Sequence, residues 1–202
     1  MIGWHDGPRG RAHDDDAALR AAQLGDPDTF VQIIASYDAL VFRLAWNFTQ
    51  SLSAATEIYE AVFTTAYRLL PSYTSGDSFL IWIFRIATRC SLAYVSGPTA
   101  SRRVRAWWPG DDTGLGPNGM GAAGLGPAGL GPDAARIPVR LRQALMQLDR
   151  RDRLVFILRH ELQFKTATIA RMIDAPEHSV QTSLTRAFLM LRNAARAIGT
   201  RQ

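Results

Sequence analysis

Apolar residues recur every three to four positions through most of this chain, the repeat of an α-helix with one buried face. Asp14, Asp15 and Asp16 put carboxylates where a helix N-terminus favours them, and the helix they open stops at Gly25. Asp26-Pro27 restarts the chain with a cap and a first-turn proline. Phe30, Ile33, Ile34, Tyr37, Leu40, Val41, Leu44 and Phe48 then lie on one face of a single long helix. A turn over 49–53 leads to a third helix over 54–70, which carries Ile58, Val62, Phe63, Ala66 and Tyr67 and is stopped by Pro71. After the polar stretch PSYTSGD, a fourth begins near Ser78 with Phe79, Trp82, Ile83 and Ile86, and Gly97-Pro98 ends it. Further on, the pattern predicts helices over 134–148, after Asp149 (Leu154, Val155, Ile157, Leu158), over 166–173 and over 177–197. No segment alternates with a period of two, so the predicted class is all-α.

The stretch GLGPNGMGAAGLGPAGLGP breaks this pattern, with Gly-Leu-Gly-Pro starting at Gly114, Gly124 and Gly129. Glycine has a high entropy of ordering and proline removes a donor, so the composition reads as a linker. The expected organisation is a disordered tail (1–13), a helical domain (14–96), a flexible Gly/Pro-rich linker (97–132) and a second helical domain (133–202). A Gly-rich coil of that length has a root-mean-square span of roughly 30–36 Å. Its deletion-tolerance follows from the slow growth of closure entropy with length.

Charge sets the two domains apart. Residues 14–95 carry a net −4 and residues 133–202 a net +7. A basic module favours a polyanion such as nucleic acid, and an acidic one suits a basic protein surface. No apolar run reaches the roughly 18 residues of a membrane span. Cys90 is the only cysteine, and no His/Cys cluster has metal-ligand spacing, so a cytoplasmic protein without metal or cofactor is expected. Enzyme readings fail too. His5, His13, His160 and His178 are scattered, and RHELQF lacks the second histidine of a zinc-protease helix. No catalytic residue is assigned.

The most informative stretch is TATIARMIDAPEHSVQTSLTRAFLMLRNAARAIG. A short helix, a tight Asp174-Ala175-Pro176 turn and a longer helix have the proportions of a helix-turn-helix. Aspartate tolerates the left-handed conformation that such a turn needs. Val180, Leu184 and Leu191 face inward. His178, Ser179, Gln181, Thr182, Thr185 and Arg186 are left outward at the N-terminal end, where base edges would be read. Similar helix pairs also occur in bundles that bind no DNA.

The whole arrangement resembles the extracytoplasmic-function sigma factors, bacterial transcription initiation factors. The segment AAQLGDPDTFVQII looks like that family's opening helix, AATEIYEAVFTTAYRLLPSY like its polymerase-binding helix, and GDSFLIWIFRIATR is similar to the signature that follows. LRQALMQLDRRDRLVFILRHELQFKTATIARMIDAPEHSVQTSLTRAFLMLR is similar to its promoter-binding helices. The resemblance implies core RNA polymerase and promoter DNA as partners, and allows an anti-sigma protein as a third. It implies that Glu57, Glu60 and Phe63 meet polymerase and that the C-terminal pair reads the upstream (minus-35) element. It also implies that the N-terminal module helps to melt the downstream (minus-10) element, with Tyr73 as its stacking group.

This chain departs from the family pattern in places. Gln181 and Ser183 stand where the family commonly has cations. The arginines expected at the end of the fourth helix come late, in SRRVRAWW. Arg102, Arg103 and Arg105 there could track phosphates with Trp107 and Trp108 stacking on bases, or the tryptophans could pack on the module. A degenerate, sigma-like module that binds protein partners and little DNA is the alternative function.

Overall fold

The computed structural model describes residues 12–74, 76–94 and 139–199. The described residues form nine α-helices and no strand: α1 (Ala12–Gln23), α2 (Pro27–Ala35), α3 (Asp38–Thr49), α4 (Leu52–Leu69), α5 (Phe79–Tyr94), α6 (Val139–Gln147), α7 (Arg150–Phe156), α8 (Thr166–Met172) and α9 (Glu177–Gly199). The all-α class is therefore as expected. The tail over 1–13 and the linker over 97–132 lie outside the described residues, except that α1 already begins at Ala12.

Local chemistry explains most boundaries. Gly25 ends the first helix at φ 98°, a conformation that a side chain would strain. Asp26 caps α2 by accepting from the backbone of Asp28 at 3.1 Å and from the Thr29 hydroxyl at 2.5 Å. These bonds hold its pKa below the ordinary value, with the Thr29 side chain the largest cause. Gln50 closes α3 in the left-handed region at φ 55°, and Ser51 caps α4 through the Ala54 backbone.

One predicted helix is in fact two. The continuous apolar face from Phe30 to Phe48 is broken at Ser36 and Tyr37. The Ser36 N–H turns back to the carbonyls of Ile33 and Ile34. The break lets the Tyr37 ring lie 5.3 Å from that of Phe79. Periodicity missed it because the chain resumes in nearly the same phase.

The turn after α7 was missed as well. Residues Ile157–Glu161 form a π-helical turn, in which the Leu162 N–H reaches the Ile157 carbonyl at 3.1 Å. Such turns widen a helix by one residue. The chain that leaves this one brings Phe164 edge-on to Phe84, 5.0 Å between centroids.

Phe84 and Phe164 belong to different halves of the sequence, and so do many of their neighbours. A single buried cluster runs from Phe30, Leu44 and Phe48 through Ile83 and Phe84 to Leu154, Ile157, Leu158, Ile169 and Val180. A smaller cluster of Leu145, Leu148, Ala187 and Leu191 ties α6 to α9. The two helical sets share this main core.

A candidate nucleic-acid interface

The C-terminal pair has the predicted geometry. Helix α8 is seven residues long and α9 twenty-three. Between them Asp174 sits at φ 52°, and the Ala175 N–H reaches back to the Ala170 carbonyl at 3.0 Å. Ile169, Ala170 and Val180 are buried where the two helices meet. Thr166, at the start of α8, hydrogen-bonds Glu177 at the start of α9 at 2.6 Å, so the two N-termini are tied side to side.

The first turns of α9 present a polar surface. His178, Gln181, Thr182 and Thr185 are exposed and Ser179 is half-buried. The hydroxyls of Thr182 and Thr185 donate to the carbonyls of His178 and Gln181, each at 2.9 Å. Their methyl groups and hydroxyl lone pairs remain for a ligand. Five of the six side chains expected to read bases are thus brought together on one open face.

Arg186, the sixth, is exposed as well but is tied down. It is not a freely swinging cation. Its Nε donates to Asp152 Oδ2 at 2.8 Å and its Nη2 to Oδ1 at 2.7 Å. Asp152 lies on α7 with its carboxylate only 7% exposed, while Arg186 stays 58% exposed. Burial pushes the Asp152 pKa up. The hydrogen bonds of Arg186 and Ser183 and the charges of Arg186 and Arg151 outweigh it and leave the carboxyl below its ordinary value. Ser183 is buried beside this pair, so the position where a family cation was looked for faces inward. The sequence held one signal for the clamp: Asp152 is the lone acid in the arginine-rich run RRDR.

The clamp makes a pH prediction. A carboxylate whose pKa falls on folding stabilises the native state above its unfolded value, 3.8 here, and that contribution is lost as pH falls through the lower folded value. Lowering the pH from about 5 to about 2.5 should therefore cost the wild type more stability than Asp152→Asn. Urea midpoints at both pH values check this; equal pH slopes would contradict it.

The N-terminal half places its candidates differently. Glu57 and Glu60 are exposed one turn apart on α4, and Glu57 accepts from Ser53 at 3.3 Å. Phe63 is corrected: at 3% exposure it is a core residue, edge-on to Tyr59 at 4.8 Å. Its place four residues after buried Tyr59 and one after buried Val62 sets it on the inner side of α4. Tyr73 is corrected too. Its ring packs 5.6 Å from Phe79 and 5.2 Å from Trp82, and its hydroxyl donates to the Asp77 carbonyl at 2.7 Å. Gln23 holds the same loop by donating to the carbonyls of Leu70 and Tyr73. Arg102, Arg103, Arg105, Trp107 and Trp108 lie outside the described residues. Among the described residues no cluster could hold a metal ion, and no helix is long and apolar enough to cross a membrane.

Comparison with known proteins agrees with this layout. Residues 33–97 match the family model for sigma-70 region 2, and residues 139–191 that for sigma-70 region 4. Together they take in more than half of the chain. A curated relative, the ECF RNA polymerase sigma factor SigW of Bacillus subtilis, is 22% identical over 178 residues, 88% of this chain and 95% of the relative. Among solved structures, the fold is similar to CnrH in complex with the cytosolic domain of CnrY. The TM-score is 0.60 at 19% identity, over 91% of this chain and 97% of that one. It is also similar to the sigma factor RpoE in complex with the anti-sigma factor NepR from Bartonella quintana. There the TM-score is 0.58 at 14% identity, over 83% and 96%. With both matched regions in order on one chain, and the helix-turn-helix built inside the second, the protein belongs to the sigma-70 family and is an extracytoplasmic-function sigma factor.

Proposed function

We propose that this chain, a transcription initiation factor, works by positioning alone: it carries core polymerase to a promoter, acts in the cytoplasm and performs no catalysis. The observation that carries this reading is the open polar face at the start of α9, mounted on a turn whose geometry requires Asp174 at positive φ. A helix of that kind fits the major groove, where side-chain amides and hydroxyls discriminate base pairs. His178, Ser179, Gln181, Thr182 and Thr185 read the upstream element in this proposal. Arg186, aimed by Asp152, meets the phosphate backbone beside them. Glu57 and Glu60 meet a basic surface of polymerase.

Run-off transcription with purified core polymerase on a promoter library tests the proposal. Transcripts from a defined set of promoters are expected, and none above core alone would refute it. Within that assay, Gln181→Ala should change preference at one or two positions of the upstream element. The expected loss is roughly 1–3 kcal/mol for the favoured base. A uniform decrease over all promoters would instead place Gln181 on the backbone.

A second reading has specific support. Phe188, Leu189 and Met190 expose apolar surface on α9, Phe188 at 61%, and Tyr73 is partly buried with its ring against Trp82. A partner protein covering the second half of α9, of the anti-sigma kind seen with RpoE, would use these residues. A factor that binds such a partner but yields no run-off product would favour this alternative.

A further inference from the structure

A base edge in the major groove is read by the side-chain chemistry that complements it. Guanine takes a fork of donors from a cation, cytosine an acid that accepts from its amino group, adenine a side-chain amide, and thymine an apolar contact to its C5-methyl group. The first three turns of α9 carry all four kinds of side chain, and the structure leaves two of them for DNA. Residues 177–185 contain no lysine or arginine. The next cation, Arg186, has the edge formed by Nε and Nη2 on the Asp152 carboxylate, at 2.8 and 2.7 Å, so that fork meets an acid and not guanine. Glu177, the only acid of α9, accepts from the Thr166 hydroxyl at 2.6 Å and is engaged by α8. His178 offers an imidazole and no fork.

Gln181, Thr182 and Thr185 are left, all exposed. Thr185 lies four residues after Gln181 and three after Thr182, the spacing of one helix face. Both threonines already use their donors. The Thr182 hydroxyl donates to the His178 carbonyl and the Thr185 hydroxyl to the Gln181 carbonyl, each at 2.9 Å. A β-branched side chain bonded to its own helix is stiff, and its donor is satisfied before DNA arrives. It can therefore lose its water against an apolar neighbour without leaving a hydrogen bond unmade. What remains for a ligand is the methyl group and the hydroxyl lone pairs. The helix rise sets the two threonines roughly 4.5 Å apart along the axis, near the step of about 3.4 Å between base pairs.

We propose that Thr182 and Thr185 are specificity-determining residues that read thymine through their methyl groups, with Gln181 on a neighbouring adenine. The upstream element of this factor is then chosen as an A·T segment, without a guanine-reading fork from α9. The proposal rests on the sigma-factor reading and adds the base chemistry to it. A helix that brings few cations into the groove also has a smaller sequence-independent share of binding, which leaves the methyl contacts a larger part of the discrimination.

Deoxyuridine in place of thymidine removes that methyl group and keeps the base pairing. The test uses holoenzyme assembled from the full chain and core polymerase, on a promoter drawn from the run-off library. Upstream thymines are replaced one at a time, and a thymine outside the element is the control for duplex stiffness. Loss of one methyl contact is expected to weaken binding about three- to fivefold, at one thymine for Thr182 and at another for Thr185. Thr182→Ser keeps the hydroxyl but lacks the methyl, so the uracil penalty at its thymine should vanish. Thr185→Ser should do the same at the other. Thr182→Val keeps the methyl and should keep the penalty. Wild-type indifference to uracil at every upstream position would overturn the proposal, as would a preferred upstream element without thymine. A penalty that survives in both serine variants would overturn it too. A penalty lost in Thr182→Val would assign the contact to the hydroxyl and overturn it equally. Wild-type run-off from the unmodified promoter is the separate readout. Its absence defeats the sigma-factor reading and this proposal with it, whereas run-off with binding indifferent to uracil defeats this proposal alone.

Discussion

Replacing Arg153 by alanine is expected to destabilise the whole fold by roughly 3–5 kcal/mol, because it removes the donor shared by several buried carbonyls. Arg153 is 5% exposed. Its Nε donates to the Leu145 carbonyl at 2.9 Å, and its Nη2 to those of Met146 at 2.6 Å and Leu148 at 3.1 Å, so it closes the C-terminus of α6. Its Nη1 reaches the Phe48 carbonyl of α3 at 3.3 Å, and the guanidinium carbon stands 5.5 Å from the centre of the Phe48 ring. Without it, several dry carbonyls lose their donors, each at a cost of about 1–3 kcal/mol. Lysine cannot replace the fork, because a single ammonium lacks its planar spread of donors. Arg153→Lys should therefore recover less than half of the loss. Urea unfolding at pH 7, followed by far-ultraviolet circular dichroism, measures both variants. A loss under 1 kcal/mol for Arg153→Ala would contradict the assignment. Because Arg153 touches both helical sets, unfolding of the wild type is also expected to be one cooperative transition.

The double substitution Glu57→Lys/Glu60→Lys should abolish co-purification with core polymerase while leaving helicity intact. Both side chains are exposed on α4, so reversing them costs the fold little. Opposing like charges across an interface costs several kcal/mol, enough to take a micromolar complex beyond detection. Pull-down of tagged protein with core polymerase gives the readout. Retention equal to wild type would remove this acidic face from the interface. Phe63 is not a useful companion variant, because its burial means that Phe63→Ala would damage the core first.

Much of this molecule was legible in one dimension. Helix count in each half was nearly right because burial on one face imposes a 3.6-residue repeat on the residues that must be apolar. Gly25 and the left-handed Asp174 were readable because backbone sterics act within a residue or two. The outward face of α9 followed from the same repeat once Val180 and Leu184 were placed inside. The break at Ser36–Tyr37 and the π turn at Ile157–Glu161 were not readable, since neither leaves a Gly or Pro and both are held by packing from distant helices.

The sequence by itself determined the class, the order of the two helical sets, the recognition helix and the acidic face of α4, because each depends on local periodicity or charge. The tertiary structure decided which polar groups are at liberty. Phe63 and Tyr73 turned inward, Arg186 was taken by Asp152, and Arg85 and Arg171 met at Asp77. Those partners stand 34 residues apart in the first pair and up to 94 in the second. A charge-assisted hydrogen bond depends on angstrom-scale approach in three dimensions, and no pattern along the chain encodes that distance.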